Sequence, residues 1–221
     1  MSKLATLLKL KYLKNMKTLG FNYIAPLEDF DTVTNLELPN ELSKLRSMTL
    51  NCHLCDLAKS RKKIVFGEGS EDSELMFIGE APGESEDETG RPFVGKAGEL
   101  LTKMIEAGIT IPRSSVYIAN IVKCRPPGNR VPTHTEVSSC KPYLLKQIEV
   151  IKPKIIVALG ATALNSLLGE NHAISKVRGK QYKFGNSILI PTYHPSYLLR
   201  NPDAKKEAFE DIKLIKTLLN S

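Results

Sequence analysis

Apolar residues fall along this chain in short runs separated by longer mixed segments, and that alternation predicts strands and helices in turn. Leu75-Met76-Phe77-Ile78, closed by Gly79, is the pattern of a strand buried on both faces. Val116 to Val122 reads as a second strand, and Ile155 to Leu159, closed by Gly160, as a third. Between and after them the spacing predicts helices over 97–107, stopped by Gly108, over 135–151, and over 161–168, ended by Gly169. A short helix over 41–50, behind an Asn40 cap, leads into Cys52. Gln181 to Phe184 and Ile188 to Pro191 form a hairpin around Gly185-Asn186, and a helix over 203–219 closes the chain. Strands trading with helices imply βαβ units and a largely parallel sheet covered on both faces. Sites in such sheets lie at the carboxyl ends of the strands, which puts Gly79, Glu80 and Asn120 on one rim.

The first residues differ. Met1 to Gly20 mixes Lys3, Lys9, Lys11, Lys14 and Lys17 with leucines at helical spacing, which predicts a short helix packed on the domain, with a basic arm as the alternative. Residues 20–40, with Pro26 and Pro39, read as irregular. The chain therefore divides into an extension over 1–40 and a single domain over 41–221. The lysines break any signal-peptide core, and no apolar run approaches the roughly 18–20 residues of a membrane span, so an intracellular location away from membranes is expected. Lys and Arg exceed Asp and Glu by 31 to 24, giving +7. The excess suits a polyanionic partner such as nucleic acid, although an indifferent basic surface has the same charge.

The four cysteines narrow the chemistry. Cys52 and Cys55 form a C-x2-C pair, and Cys124 and Cys140 follow from separate segments. In a reducing compartment this grouping points to metal ligation rather than disulfides. A zinc ribbon uses two tight knuckles and here only one is tight, so the spacing favours a [4Fe–4S] cluster, with zinc and four unrelated buried thiols as the alternatives. Two segments add polar chemistry. The loop from Gly79 through Glu80, Ala81, Gly83, Glu86 and Phe93 to Gly95 follows a strand; it lacks the Gly-Lys-Ser/Thr of a phosphate loop, and its acids would repel phosphate. His194, beside Pro195 at the end of a strand, is a candidate acid, base or donor, although a lone histidine is more often a satisfied structural residue.

Together Gly79–Gly83 with Thr89–Gly95, the stretch from Asn120 through Cys124-Arg125-Pro126-Pro127-Gly128-Asn129-Arg130, and His194–Arg200 closely resemble the family-4 uracil-DNA glycosylases, the iron–sulfur branch of that superfamily. The likeness runs in order from about Cys52 to Leu219 and leaves out the first forty or so residues. It implies an α/β fold, a three-layer α/β/α sandwich around a central, mainly parallel four-stranded sheet. It implies removal of uracil from single- or double-stranded DNA by hydrolysis of the N-glycosidic bond, a monomer, and a possible replication or repair protein as partner.

By position, the resemblance gives each residue a role. Gly79, Glu80 and Ala81 border the uracil and its sugar, Glu86 lies near the base pocket, Phe93 stacks on the flipped base, and Asn120 reads its edge. His194 donates to the uracil O2, and Glu80 faces the sugar as a cation stabiliser or water-orienting group. Leu198, with Leu199, wedges into the gap in the DNA. Arg125, Arg130, Arg200 and Lys123 flank the rim and pair with phosphates. Cys52, Cys55, Cys124 and Cys140 hold the cluster. The chain departs from the expected pattern at Val131 and His134, and Ala81 stands where the better-known branch has an aspartate, so no general base is named. An iron–sulfur redox or sensing protein and a zinc-type nucleic-acid-binding module are the rival readings; an electron carrier gains nothing from Phe93, Asn120 and His194, and metal analysis separates the zinc module.

Overall fold

The computed structural model describes residues 38–220, so the expected helix near the N-terminus lies outside the described residues. α1 (Leu42–Leu50) leads to a 3-10 turn (Asp56–Lys59); β1 (Glu68–Gly69) and β2 (Leu75–Gly79) follow. Next come α2 (Glu84–Thr89), α3 (Lys96–Lys103), β3 (Tyr117–Asn120), α4 (His134–Ile151) and β4 (Ile155–Leu159). The chain ends through α5 (Ala161–Leu168), α6 (Ile174–Val177), β5 (Tyr182–Phe184), β6 (Ser187–Thr192), α7 (Pro195–Arg200) and α8 (Lys205–Leu219).

The sheet has six strands in the order β1-β3-β2-β4-β6-β5. Its inner four, β3, β2, β4 and β6, are parallel, as expected; the two short edge strands pair antiparallel and were only half anticipated, β5 through the hairpin and β1 not at all. Every residue of β2, β3 and β4 is buried, the signature of strands covered on both sides. Alternate side chains serve opposite layers. Met76, Ile78, Ala119 and Ile156 join Leu45 of α1, Leu144 and Ile148 of α4 and Leu164 of α5. Leu75, Phe77, Ile118 and Val157 join Leu101 of α3 and Ile212 and Ile215 of α8. The result is the α/β/α sandwich.

Three boundaries move for physical reasons. The segment over 79–95 is not all loop: α2 forms inside it, and Gly90 at φ 79 closes it. Gly108 does not stop α3. The helix continues as a π turn (Met104–Ile109), and a Cβ on Gly108 would lie 2.6 Å from Ile212 Cγ2, so the glycine admits α8 rather than ending a helix. α1 takes Glu41, not Asn40, as its N-cap, and the Glu41 side chain makes no capping bond to the helix backbone.

One polar cluster ties the last helix to the strand that precedes His194. The buried Asp211 of α8 accepts from Thr192 Oγ1 at 2.6 Å and from Arg178 Nε at 3.0 Å. Burial holds the Asp211 carboxyl above the usual range even though Thr192 and Arg178 pull it down. Such a pair adds little net stability, yet removing one partner strands the other. Asp211→Ala is therefore expected to lower the unfolding free energy by about 2–4 kcal/mol in urea titration. A loss under about 1 kcal/mol, the scale of one ordinary hydrogen bond, would show that the cluster does not hold this layer.

Candidate active site

The carboxyl ends of β2, β3, β4 and β6 open into a cavity of about 490 Å³. Glu80, Ala81, Glu86, Phe93, Asn120 and His194 all line it, so the structure brings together six of the residues singled out from the sequence. Gly79 lies beneath them. It pairs with Asn120 across β2 and β3, and a Cβ there would stand 2.4 Å from Asn120 Oδ1 and 2.5 Å from Phe93 Cζ. Only glycine lets the amide and the ring close on the strand end.

Glu86 lies at the pocket, as expected, and its carboxylate is taken up by backbone amides. Its Oε1 accepts from the backbone N–H of Val94 at 2.9 Å and of Gly95 at 3.0 Å, and its Oε2 from that of Gly83 at 3.0 Å. The carboxylate is spent on closing the loop on itself, so Glu86 shapes the pocket rather than presenting a free acid to a ligand. Phe93, on that closed loop, adopts φ 51, a left-handed conformation that a bulky side chain holds only where its surroundings enforce it. Its ring lies 5.8 Å from the His194 ring.

Asn120 is 1% exposed, and its Oδ1 has no hydrogen-bond partner among the described residues. A buried amide oxygen left unpaired costs on the order of 1–3 kcal/mol, and at a cavity wall it marks a place for a ligand donor. His194 is set in one tautomer. The Ser196 backbone N–H, which can only donate, reaches Nδ1 at 3.1 Å, with Ser196 Oγ 2.7 Å from the same atom. Nδ1 is therefore an acceptor and the neutral ring carries its proton on Nε2. Burial, with Arg200 adding repulsion, pulls the imidazole down to about 4. The ring is thus a neutral donor at physiological pH.

The cationic rim is sparser than the sequence suggested. Arg125 is held by Asn129 Oδ1 at 2.8 Å and Glu84 at 3.3 Å. Arg130 is clamped by both carboxylate oxygens of Glu136, at 2.8 and 2.7 Å, and it draws that carboxyl down to about 2. Arg200 lines the cavity and has no carboxylate partner among the described residues. Lys123 is a correction: it is 1% exposed and points inward, so it cannot meet phosphate. Leu198 is another. At 1% exposure it packs with Tyr193 and Ala208, while its neighbours Tyr197, which stacks on Tyr193 with centroids 4.9 Å apart, and Leu199 are 39% and 43% exposed. α7 turns the residue expected to wedge into the core and the flanking ones outward.

The four cysteines meet on the opposite layer. Cys52, Cys55, Cys124 and Cys140 line one small cavity together with Arg61, Lys123 and Tyr143. Arg61 Nη1 donates to Cys124 Sγ at 3.5 Å and the Lys123 backbone N–H to Cys140 Sγ at 3.2 Å. Burial pushes the Cys124 thiol up to about 11 and Cys140 up to about 12. Among the described residues no three His, Cys, Asp or Glu side chains close on one point as ligands of a single ion would.

The site and the fold agree with the comparisons. The family model of the Uracil DNA glycosylase superfamily matches residues 66–213. The chain belongs to that superfamily. A type-4 uracil-DNA glycosylase of Sulfurisphaera tokodaii is 48% identical over 81% of this chain and 85% of its own. One of Thermotoga maritima is 50% identical over 76% of this chain and 89% of its own, and one of Saccharolobus solfataricus 48% over 77% and 82%. The likeness to type-4 members thus rests on several relatives.

One contributor to this glycosylase-family site escaped the sequence: Ser196, which sets the His194 tautomer, although the His-Pro-Ser spacing carried a signal, since a serine two residues on can reach back to the ring. The His194 geometry is testable. An imidazole held neutral to about 4 against about 6.5 in the unfolded chain leaves the unfolded state binding the extra proton between those values, so stability falls as pH drops through that window. Nitrogen NMR of the folded protein is expected to show His194 as the neutral Nε2–H tautomer at pH 5.5, whereas a titration midpoint near 6.5 would contradict the buried-donor geometry.

Proposed function

We propose that the chain excises uracil from DNA, hydrolysing the N-glycosidic bond of a nucleotide flipped into the cavity at the carboxyl ends of the sheet. The unpaired, buried Oδ1 of Asn120 carries this reading, because it supplies the acceptor that the uracil N3–H needs, with the amide NH2 left for O4. A base inside a duplex is out of reach, so the nucleotide must be turned out and unstacked, and the Phe93 ring offers the apolar surface for the base face. Cleavage builds negative charge on the uracil and positive charge on the sugar. His194 Nε2–H donates to O2 where the negative charge grows, and one such preorganised donor is worth roughly 3–4 kcal/mol. A neutral imidazole suits this task, since it donates without giving up the proton. Glu80, at the cavity wall beside Ala81, serves the sugar by stabilising the cation or orienting the water.

Partner and cofactor follow from the surroundings. Arg200 is the rim cation best placed for phosphate, with Arg125 and Arg130 free to contribute only by exchanging carboxylate partners. Leu199 and Tyr197, in place of Leu198, fill the gap left by the flipped nucleotide. Cys52, Cys55, Cys124 and Cys140 hold a [4Fe–4S] cluster. The fit is supported by four thiols that share one cavity and by N–H donors aimed at two of the sulfurs. When bound, the cluster ties the segments after α1 and β3 to α4. A monomer acting on intracellular DNA fits this arrangement.

Incubation with a uracil-containing oligonucleotide, followed by cleavage at abasic sites, is expected to give strand scission at the uracil only. Asn120→Asp replaces the amide donor with an acceptor, so uracil release from single-stranded DNA should fall severely, by about a hundredfold or more, with slow release of cytosine, whose N4 amine can donate to the carboxylate. Wild-type uracil release by that variant would remove Asn120 as the base reader.

A further inference from the structure

Lys123 lines the cysteine cavity and also touches the base-reading strand end. Its side chain is fully buried, and no carboxylate pairs with it among the described residues. Nζ donates to the backbone carbonyl of Asn120 at 2.9 Å and to Gln147 Oε1 at 2.6 Å. Gln147 is itself held, its Nε2 donating to Phe66 O at 2.9 Å and to the Tyr117 hydroxyl at 3.0 Å. From the same residue the backbone N–H donates to Cys140 Sγ. Two neutral acceptors do not offset a buried ammonium, and an uncompensated interior charge is expensive enough that a neutral side chain would be the better filler. Cysteines that ligate a metal do so as thiolates, and ligands of that kind around the adjacent cavity would supply the negative charge that suits a lysine here. Lys123 does not line the large cavity, so it reaches the chemistry only through Asn120.

We propose that Lys123 is a positioning residue with two tasks: its ammonium fixes the Asn120 carbonyl, and it is the buried counter-charge of the four-cysteine site, so one side chain sets both the cluster and the base-reading amide. The inference rests on reading the cysteines as cluster ligands and Asn120 as the base reader. Two variants divide the tasks. Lys123→Met removes the charge and the bond to Asn120. Gln147→Glu has the same shape as the native residue and neutralises the charge while leaving that bond in place; it gives up the Nε2 donor to Phe66 O, and the Tyr117 hydroxyl turns to donate to the carboxylate. Reduction potentials of iron–sulfur clusters follow net local charge.

In iron-loaded protein at pH 7, protein-film voltammetry should show a more negative cluster potential for both variants. Single-turnover uracil release at saturating DNA should fall about ten- to a hundredfold in Lys123→Met alone, with affinity for DNA unchanged, and stay near wild type in Gln147→Glu. Variants that keep the wild-type potential and the wild-type release rate overturn the inference while leaving the glycosylase reading intact. Should Lys123→Met fail to fold, an unmoved potential in Gln147→Glu overturns it alone. Purified wild-type protein free of iron, by contrast, would sink the cluster reading first and this inference with it.

Discussion

The carboxylate of Glu86 is the interaction on which the pocket depends. One side chain gathers the N–H groups of Gly83, Val94 and Gly95, which come from both ends of the loop that follows β2. Closing that loop forces Phe93 into a left-handed backbone conformation and lays its ring against the bare strand end at Gly79. The ring and the strand end then confine Asn120. Each step uses a hydrogen bond or a steric limit, and none waits for a ligand. The unpaired amide oxygen is held in position before any base arrives, so the entropy of ordering it is met during folding rather than during binding.

Two ionisable side chains are drawn away from bulk water, one neutral and one charged. Near the cavity, burial keeps His194 neutral and the Ser196 amide keeps its proton on Nε2, which makes a donor of a group that would otherwise be a cation in mildly acidic solution. In the opposite layer Lys123 lies beside four sulfurs with only carbonyl-type acceptors at its head. The first charge is suppressed for chemistry at the base. The second is retained because an anionic neighbour is expected, and it links that neighbour to the strand carrying Asn120.

The architecture was legible because burial on both faces leaves a plain trace: unbroken apolar runs at β2 and β4, each closed by glycine at the carboxyl end. The cavity residues were legible through motif order, since Gly79, Asn120 and His194 stand at or just past strand ends and Phe93 lies in the loop region after the first of them. Three features were not. The direction of a side chain on a short helix depends on which face packs, and α7 packs Leu198 against Tyr193 and Ala208, a choice made by the tertiary structure. Lys123 reads as a surface cation because lysine nearly always is one, and only the position of Gln147, some two dozen residues further on, draws it inward. That the carboxylate of Glu86 closes the loop was hidden because local sequence does not show that its partners are backbone amides brought from the far end of the loop.

The central claim is that a prebuilt cavity reads the edge of uracil through Asn120 and its O2 through His194. A crystal structure of the protein with uracil bound tests it most directly. The account predicts the base against the Phe93 ring, N3–H donating to Asn120 Oδ1, Nε2 of His194 donating to O2, and the loop over 79–95 in its present conformation. Uracil lodged elsewhere in the cavity with Asn120 Oδ1 still unpaired, or a loop that must open Glu86 from its three amides to admit the base, would contradict it.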